Sequence, residues 1–292
     1  MRKRILGVSR SPRFSPNSQT RDEAIFQGVI TELQRKGYEV ERICEDDFVT
    51  ATGYDAVFSM ARDLRVLQTL AVSEQSGLPV FNSAQALLQA TRVVQTATFE
   101  AEGIPVPDSP VLFRRNGAKM VPLLRDAGFK SWHFPVWLKR SEACAQSAAD
   151  VCFVENEEQL ATALTGYASR QIDEVLVSEH LRGDLVKFYG VEGTPFFYSY
   201  YPTSDNAFSK FGLERINGAP SGFPLDLEAL KQVADRAAAS CGMVIYGGDC
   251  IVDEQGRFRI IDFNDWPSYS RCCGEASRAI ADKISQAIRD KN

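Results

Sequence analysis

No apolar stretch in the 292-residue chain approaches the ~20 residues that a membrane helix requires. The basic opening "MRKR" is followed only by "ILGV", too short for a signal-peptide core. A membrane is therefore not an expected partner. Histidine is scarce, with only His133 and His180, and no Cys/His spacing suits zinc. The seven cysteines (44, 144, 152, 241, 250, 272, 273) are scattered, odd in number and form no CxxC pair. They read as reduced thiols of a cytoplasmic protein. The GxGxxG fingerprint is missing, so no dinucleotide site is indicated. Positive charge is not in excess: the formal net charge is −5, which argues against nucleic acid as a partner. One local exception is the cluster Arg2, Lys3, Arg4, Arg10, Arg13 and Arg21, a basic edge able to meet an anionic ligand.

What is present describes an ordinary globular chain, 44% hydrophobic and 24% charged, long enough for two or three packed subdomains. "KRILGVS" (3–9) reads as a strand and 20–36 as an amphipathic helix, with Ala24, Ile25, Val29, Ile30 and Leu33 at helical spacing. Gly37 ends it. "YEVERI" and "YDAVFSM" are further strands, followed by a helix over 63–76 and the short strand "PVFN". Strands alternating with helices imply a parallel sheet covered on both faces, so residues 1–90 read as a small doubly wound domain. A helix over 84–102 precedes a proline-rich boundary near 105–110. "FPVWLKRS" (134–141), 174–184 and 185–202 read as strands, the last with a turn at Gly193. Residues 203–224 read as a mobile loop. Helices over 226–241 and 275–289 flank a hairpin.

That hairpin, "YGGDCIVDEQGRFRIIDFND", carries the chemistry. With Gln255 and Gly256 as the two central turn residues, Asp249 falls opposite Asp262. Strand period two places Asn264 on the face of Asp262. Like charges directly opposite on a sheet are destabilising, and a partly buried carboxylate needs compensation. Oxygen donors without His or Cys suit a hard cation, Mg²⁺ or Mn²⁺. Such an ion, held by few carboxylates, usually also binds substrate phosphates. Cations for phosphate are at hand: Lys139 ends a very apolar strand, Arg92 lies in the helix before the boundary, and Lys187 sits among strand aromatics. Glu179 and Asp184 flank "HLRG".

These pieces, in this order, resemble the ATP-grasp superfamily over nearly the whole chain. "PVFNSAQALLQATRVVQTATFEAEGIPVPDSPVL" resembles its entry segment, and "FPVWLKRS" the strand whose lysine contacts nucleotide phosphates. "EVLVSEHLRGD" resembles the hinge strand, and "GGDCIVDEQGRFRIIDFNDWPS" the metal hairpin. The resemblance implies an α/β (α+β) fold with a pre-ATP-grasp domain over 1–90 and an ATP-grasp domain over 91–292, split into subdomains 91–180 and 181–292. It implies that Lys139 and Arg92 bind phosphate. Glu179 and the backbone near Leu181 would hold adenine, and Asp184 the ribose. Asp249, Asp262 and Asn264 would hold the metal. Two departures stand out. Arg92 occupies the place of a family lysine. The loop after Lys139, "RSEACAQSAADVCFV", has no glycine to close over phosphates, leaving backbone amides or Ser141, Gln146 and Ser147 for that task.

Most enzymes with this pattern resemble carboxylate–amine ligases, which use ATP to phosphorylate a carboxylate that an amine then attacks. The implied partner is a small molecule or peptide, and a homodimer is the implied assembly. Lys210 and Arg215, in the loop, and Arg271, after the hairpin, are candidate catalytic cations, with Arg10 and Arg13 as further substrate contacts. A kinase of the inositol polyphosphate type is the alternative, because "GDLVKFYGVEG" resembles that branch with its lysine at Lys187. A non-catalytic nucleotide-binding protein is the third reading.

Overall fold

The computed structural model describes residues 2–15, 18–107, 111–123, 133–141, 147–203 and 213–291. The first stretch runs β1 (Arg4–Ser9), α1 (Gln19–Arg35), β2 (Glu39–Cys44), β3 (Ala56–Ser59), α2 (Leu64–Gln75) and β4 (Val80–Phe81). These four strands pair in parallel in the order β2-β1-β3-β4. β3 is buried throughout and β1 nearly so, as strands covered on both faces must be. α1 turns Ile25, Phe26, Val29 and Leu33 to the core, and Asp63 caps α2 by accepting from the Arg65 amide.

Next come α3 (Ala84–Gln89), α4 (Arg92–Ala101), β5 (Val111–Asn116), β6 (Lys119–Leu123), β7 (Val136–Arg140), β8 (Val151–Val154), α5 (Glu157–Ser169) and β9 (Glu174–Glu179). The five strands form an antiparallel sheet ordered β6-β5-β9-β7-β8. The remainder holds β10 (Asp184–Val191), β11 (Phe197–Tyr200), α6 (Leu227–Ser240), β12 (Ile245–Val252), β13 (Phe258–Asp265) and α7 (Cys273–Asp290). Its sheet is antiparallel, ordered β11-β10-β12-β13. α6 packs Leu230, Ala234 and Ala237 against Val186, Phe188 and Phe263 on one face of that sheet. α7 returns to the start of the chain, where Ile280, Ile284 and Ile288 share a core with Ile25, Val29 and Leu33 of α1. The first and third sheets are thus fastened together by the last helix.

Several expectations need correction. The helix expected over 84–102 is two helices, because Thr91 is extended and caps α4 by accepting from the Val94 amide. The strand expected over 174–184 is split between two sheets. Residues 180–183 cross between them, and Gly183 has φ +144°, where a Cβ would stand 2.2 Å from the Val252 carbonyl oxygen. The hairpin β5–β6, strand β8 and helix α5 were not anticipated. In the loop expected over 203–224, residues 204–212 lie outside the described residues. The following part is anchored: Leu213–Asn217 is a 3₁₀ turn, and the amides of Ser221, Gly222 and Phe223 donate to Asp184 at 2.7, 2.7 and 2.8 Å.

The hairpin turn also differs from expectation. The Gly256 amide bonds the Asp253 carbonyl at 2.9 Å, and Gly256 takes φ +79°. The loop is therefore the three residues Glu254–Gln255–Gly256, not a two-residue turn. Pairing near the turn is offset by one residue, Val252 with Phe258 and Cys250 with Ile260. A bulge at Ile261 then restores the expected register, so Asp249 faces Asp262 after all.

Candidate functional site

A cavity of about 360 Å³ lies between the second and third sheets and reaches the loops of the first. Strand pairing builds its floor in rows, because residues directly opposite in a sheet share a face. The first row joins Leu185 to Ile251. The second runs across three strands, Lys187, Asp249 and Asp262. The third is Tyr189, Gly247 and Asn264. Along β10, β12 and β13 the floor therefore grades from apolar to charged to polar. The opposite wall comes from the second sheet, where Trp137 and Lys139 alternate onto one face of β7, beside Ser178 of β9.

The charged row carries its own counter-ions. Lys187 Nζ stands 3.2 and 3.3 Å from the Asp249 carboxylate oxygens. Arg92, on the first turn of α4, donates to Asp262 Oδ1, and Asn264 Nδ2 donates to the other oxygen at 2.6 Å. Lys139 Nζ donates to the Ile261 carbonyl at 2.6 Å. That carbonyl belongs to the bulged residue. The bulge thus both sets the Asp249–Asp262 pairing and supplies an acceptor for Lys139. Burial pushes the Asp262 carboxyl up, but the charges of Arg92 and Lys139 and the hydrogen bonds from Arg92 and Asn264 outweigh it, holding the group well below the usual carboxylate range. Burial, then the Arg92 charge, lowers the Lys139 ammonium to about 8 against the upward pull of Asp262 and Asp249. Three cations against two carboxylates leave the row one positive charge in surplus. Such a row suits a polyanion, and its oxygen donors suit a hard cation that arrives with one. Among the described residues no group of three or more His, Cys, Asp or Glu side chains forms a metal cage.

The apolar end has Leu181, Leu185 and Ile251 with Trp137 and His180. Trp137 Nε1 donates to His180 Nδ1 at 3.1 Å, and burial, then the Arg182 charge, lowers the His180 imidazole. Glu179 lines this end and pairs with Arg259. The far end belongs to the loops after β1 and β3. Arg62 makes a bidentate pair with Asp265 at 2.5 and 2.7 Å. Arg10 donates from Nη1 to Asp22 at 3.0 Å and from Nε to the Met60 carbonyl at 3.1 Å. The buried carboxylate of Glu45 accepts amides from Ser11, Arg62 and Asp63 at 2.6, 2.7 and 2.7 Å, holding both loops in place.

Of the expected site residues, Arg92, Lys139, Glu179, Leu181, Lys187, Asp249, Asp262 and Asn264 all line this cavity. Asp184 does not. Its carboxylate accepts from three backbone amides of the 221–223 loop, so it anchors that loop instead of facing the cavity. Arg271 does not line the cavity either. It lies 4.7 Å over the Tyr200 ring and donates to Tyr198 Oη. Lys210 and Gln146, and the Arg215 side chain, lie outside the described residues. Arg13 is bound at the surface to Asp63 and Asp46. Ser141 is buried at the start of α4, its carbonyl accepting from the Arg92 amide at 2.6 Å, and Ser147 caps a 3₁₀ turn with Asp150. Neither lines the cavity. Sequence reasoning missed Arg62, Asp265, Trp137 and His180. For Trp137 the signal was present, since it lies two residues before Lys139 on the same strand face.

No protein-family model matches the sequence, and no curated protein matches it. Solved structures do match. D-alanine–D-alanine ligase from Bacillus anthracis, complexed with ATP, superposes with a TM-score of 0.67 at 13% identity, covering 99% of this chain and 100% of that one. A RimK domain ATP-grasp protein from Sphaerobacter thermophilus gives 0.65 at 18% identity, covering 97% and 99%. D-alanyl-alanine synthetase A from Vibrio cholerae gives 0.64 at 14% identity, covering 99% and 98%. The chain has the ATP-grasp fold.

Proposed function

We propose that this ATP-grasp chain is an ADP-forming ligase that joins a carboxylate to an amine, on a small molecule or peptide. The observation that carries the reading is the row Lys187–Asp249–Asp262, with Asn264 beside it and Lys139 across from it, set between an apolar end and an anion-ready end. The apolar end suits adenine, between Leu185 and Ile251 on the floor and Trp137 on the wall. The likeness to a ligase complexed with ATP supports a nucleotide as the ligand. Lys139 and Arg92 then take the phosphates. Asp249, Asp262 and Asn264 would hold Mg²⁺ or Mn²⁺, which when bound neutralises charge on the transferring phosphoryl group.

In the reaction a carboxylate oxygen attacks the γ-phosphorus, the bond to the ADP oxygen breaks and ADP leaves. The amine nitrogen attacks the acyl carbon, the C–O bond to phosphate breaks, phosphate leaves and the nitrogen sheds a proton. Lys139 and Arg92 stabilise the charge that builds on the phosphoryl oxygens, and Lys187 holds its place beside them. Arg92 and Lys187 pair with the Asp262 and Asp249 carboxylates. A triphosphate would offer both cations new anions, which would free the two carboxylates for the ion.

The test is to incubate the protein with ATP, Mg²⁺ and pools of carboxylates and amines, measuring ADP and free phosphate separately. A ligase releases both in equal amounts. ADP without free phosphate would identify a kinase, the reading that Lys187 favours. Release of neither, with ATP still raising the melting temperature, would identify a binding protein.

A further inference from the structure

Two buried donors at the far end of the cavity have no acceptor among the described residues, Nη2 of Arg10 and Nε1 of Trp266. Both residues line the cavity. The Arg10 side chain is only 10% exposed, and Trp266 is 2% exposed. A buried N–H left unpaired is costly, more so on a charged group, and two in one place call for an explanation. The backbone adds a second oddity there. Trp266 has φ +42° and Tyr269 has φ +46°, a region that bulky residues avoid. The turn is held against that cost by the buried Tyr269 hydroxyl, which donates to the Gly190 and Tyr246 carbonyls at 2.9 and 3.0 Å. Strain held in place by surrounding structure is characteristic of functional sites.

Deepening the ligase reading, on which this rests, we propose that this end is a subsite for a second carboxylate of the substrate, distinct from the one that is phosphorylated. The charge inventory selects a monoanion. Arg10 and Arg62 are balanced by Asp22 and Asp265, and the nearby Glu45 carboxylate is engaged by three backbone amides, so the cluster holds no surplus positive charge for a dianion. A carboxylate adds one negative charge, whereas a phosphate would add nearly two. Arg10 has its Nε and Nη1 committed to Met60 and Asp22, so it is fixed in direction with Nη2 left to give. Location separates the two carboxylates of the substrate. Asp265 is three residues beyond Asp262 on β13, roughly 10 Å along the strand. The fork at Asp265 is therefore beyond reach of a group being phosphorylated beside Asp262. The substrate class is a dicarboxylate, or an amino acid or short peptide bearing two carboxylates.

The test measures binding by calorimetry with Mg²⁺ and a non-hydrolysable ATP analogue present. Glutarate is compared with its mono-amide, and L-glutamate with L-glutamine. The wild type is expected to prefer each diacid by about tenfold, as a site built for a charged partner discriminates against the analogue lacking it. Arg10→Gln is expected to erase that preference while leaving affinity for the ATP analogue alone unchanged. Trp266→Phe, which removes the indole N–H together with part of the ring but keeps an aromatic side chain, is expected to reduce it about threefold. It decides the matter if Arg10→Gln fails to fold. Equal binding of acid and amide by the wild type would overturn the subsite. So would an undiminished tenfold preference in either variant, or inorganic phosphate displacing the diacids. The ligase reading fails by different readouts, loss of nucleotide binding or ADP release without phosphate, so the two failures are distinguishable.

Discussion

The two ends of the cavity are built in opposite ways. The apolar end and the charged row rise from strands: Leu185, Lys187 and Tyr189 alternate along β10, Ile251, Asp249 and Gly247 along β12. Their spacing is fixed by sheet geometry and their backbones by ladder hydrogen bonds. The far end is assembled from the loops after β1 and β3 and the turn after β13, and side chains hold it together. Glu45 ties two loops, Arg62 ties one to Asp265, and Arg10 ties Asp22 to Met60. Under the proposed ligase reading, the comparison places specificity in the loops. The strand-built end offers features any nucleotide could use, while the loop-built end offers donors whose arrangement belongs to this chain.

The largest effect is expected in the strand-built half. Asp262→Ala removes the acid on which Arg92, Asn264 and the proposed ion converge, and turnover should fall by more than about a hundredfold, with near-native circular dichroism. Near-normal turnover would remove the charged row from the chemistry. In the loop-built half the corresponding change is Arg62→Ala. It strands the buried Asp265 carboxylate, which burial raises and which Arg62, then Arg10, hold below its usual range. A loss of about 3 kcal/mol in urea unfolding is expected, with affinity for an ATP analogue unchanged. If that affinity fell in step, the two ends would not be separable. Leu185→Ala strips apolar contact from the nucleotide end and should weaken the analogue by about 1–2 kcal/mol, roughly 5- to 30-fold, without altering the diacid preference. The smallest effect is a proton. Lys139, lowered to about 8, is mostly neutral at pH 9. A triphosphate beside it favours the charged form, so nucleotide binding should take up nearly one proton at pH 9 and almost none at pH 7. Calorimetry in two buffers of different ionisation heat reads this. Lys139→Arg should abolish the uptake, since a guanidinium stays protonated throughout.

The same contrast explains what could be read from the sequence. Strand-borne features were legible, because period two places Asp262 and Asn264 on one face and Lys139 at the end of an apolar run. Even so, Asp249 comes to face Asp262 by a different route from a two-residue turn. The turn has three loop residues, not two, and the bulge at Ile261 compensates. Neither feature leaves a clear mark in composition, and only Gly256 hinted at the turn. The second sheet was half missed, because "VLFRRN" and "KMVPL" carry charges on an exposed edge hairpin and lack a clean apolar alternation. Asp184 misled for a physical reason. An acid after a hinge strand looks the same in sequence whether it meets a ligand or, as here, three backbone amides. Arg62, Asp265 and Trp266 gave no signal, since their meaning depends on loops 203 residues apart in sequence for the Arg62–Asp265 pair. The free thiols of the six described cysteines and the absence, among the described residues, of a helix long and apolar enough to cross a membrane add no further site.

The account depends most on one claim: that Asp249, Asp262 and Asn264 hold a divalent ion together with a nucleotide. Manganese paramagnetic resonance tests it directly, by titrating Mn²⁺ into the protein with and without a non-hydrolysable ATP analogue. Tight binding only with the analogue, lost in Asp262→Asn, is the predicted result. Equal manganese binding by the wild type and Asp262→Asn in the presence of the analogue would contradict it.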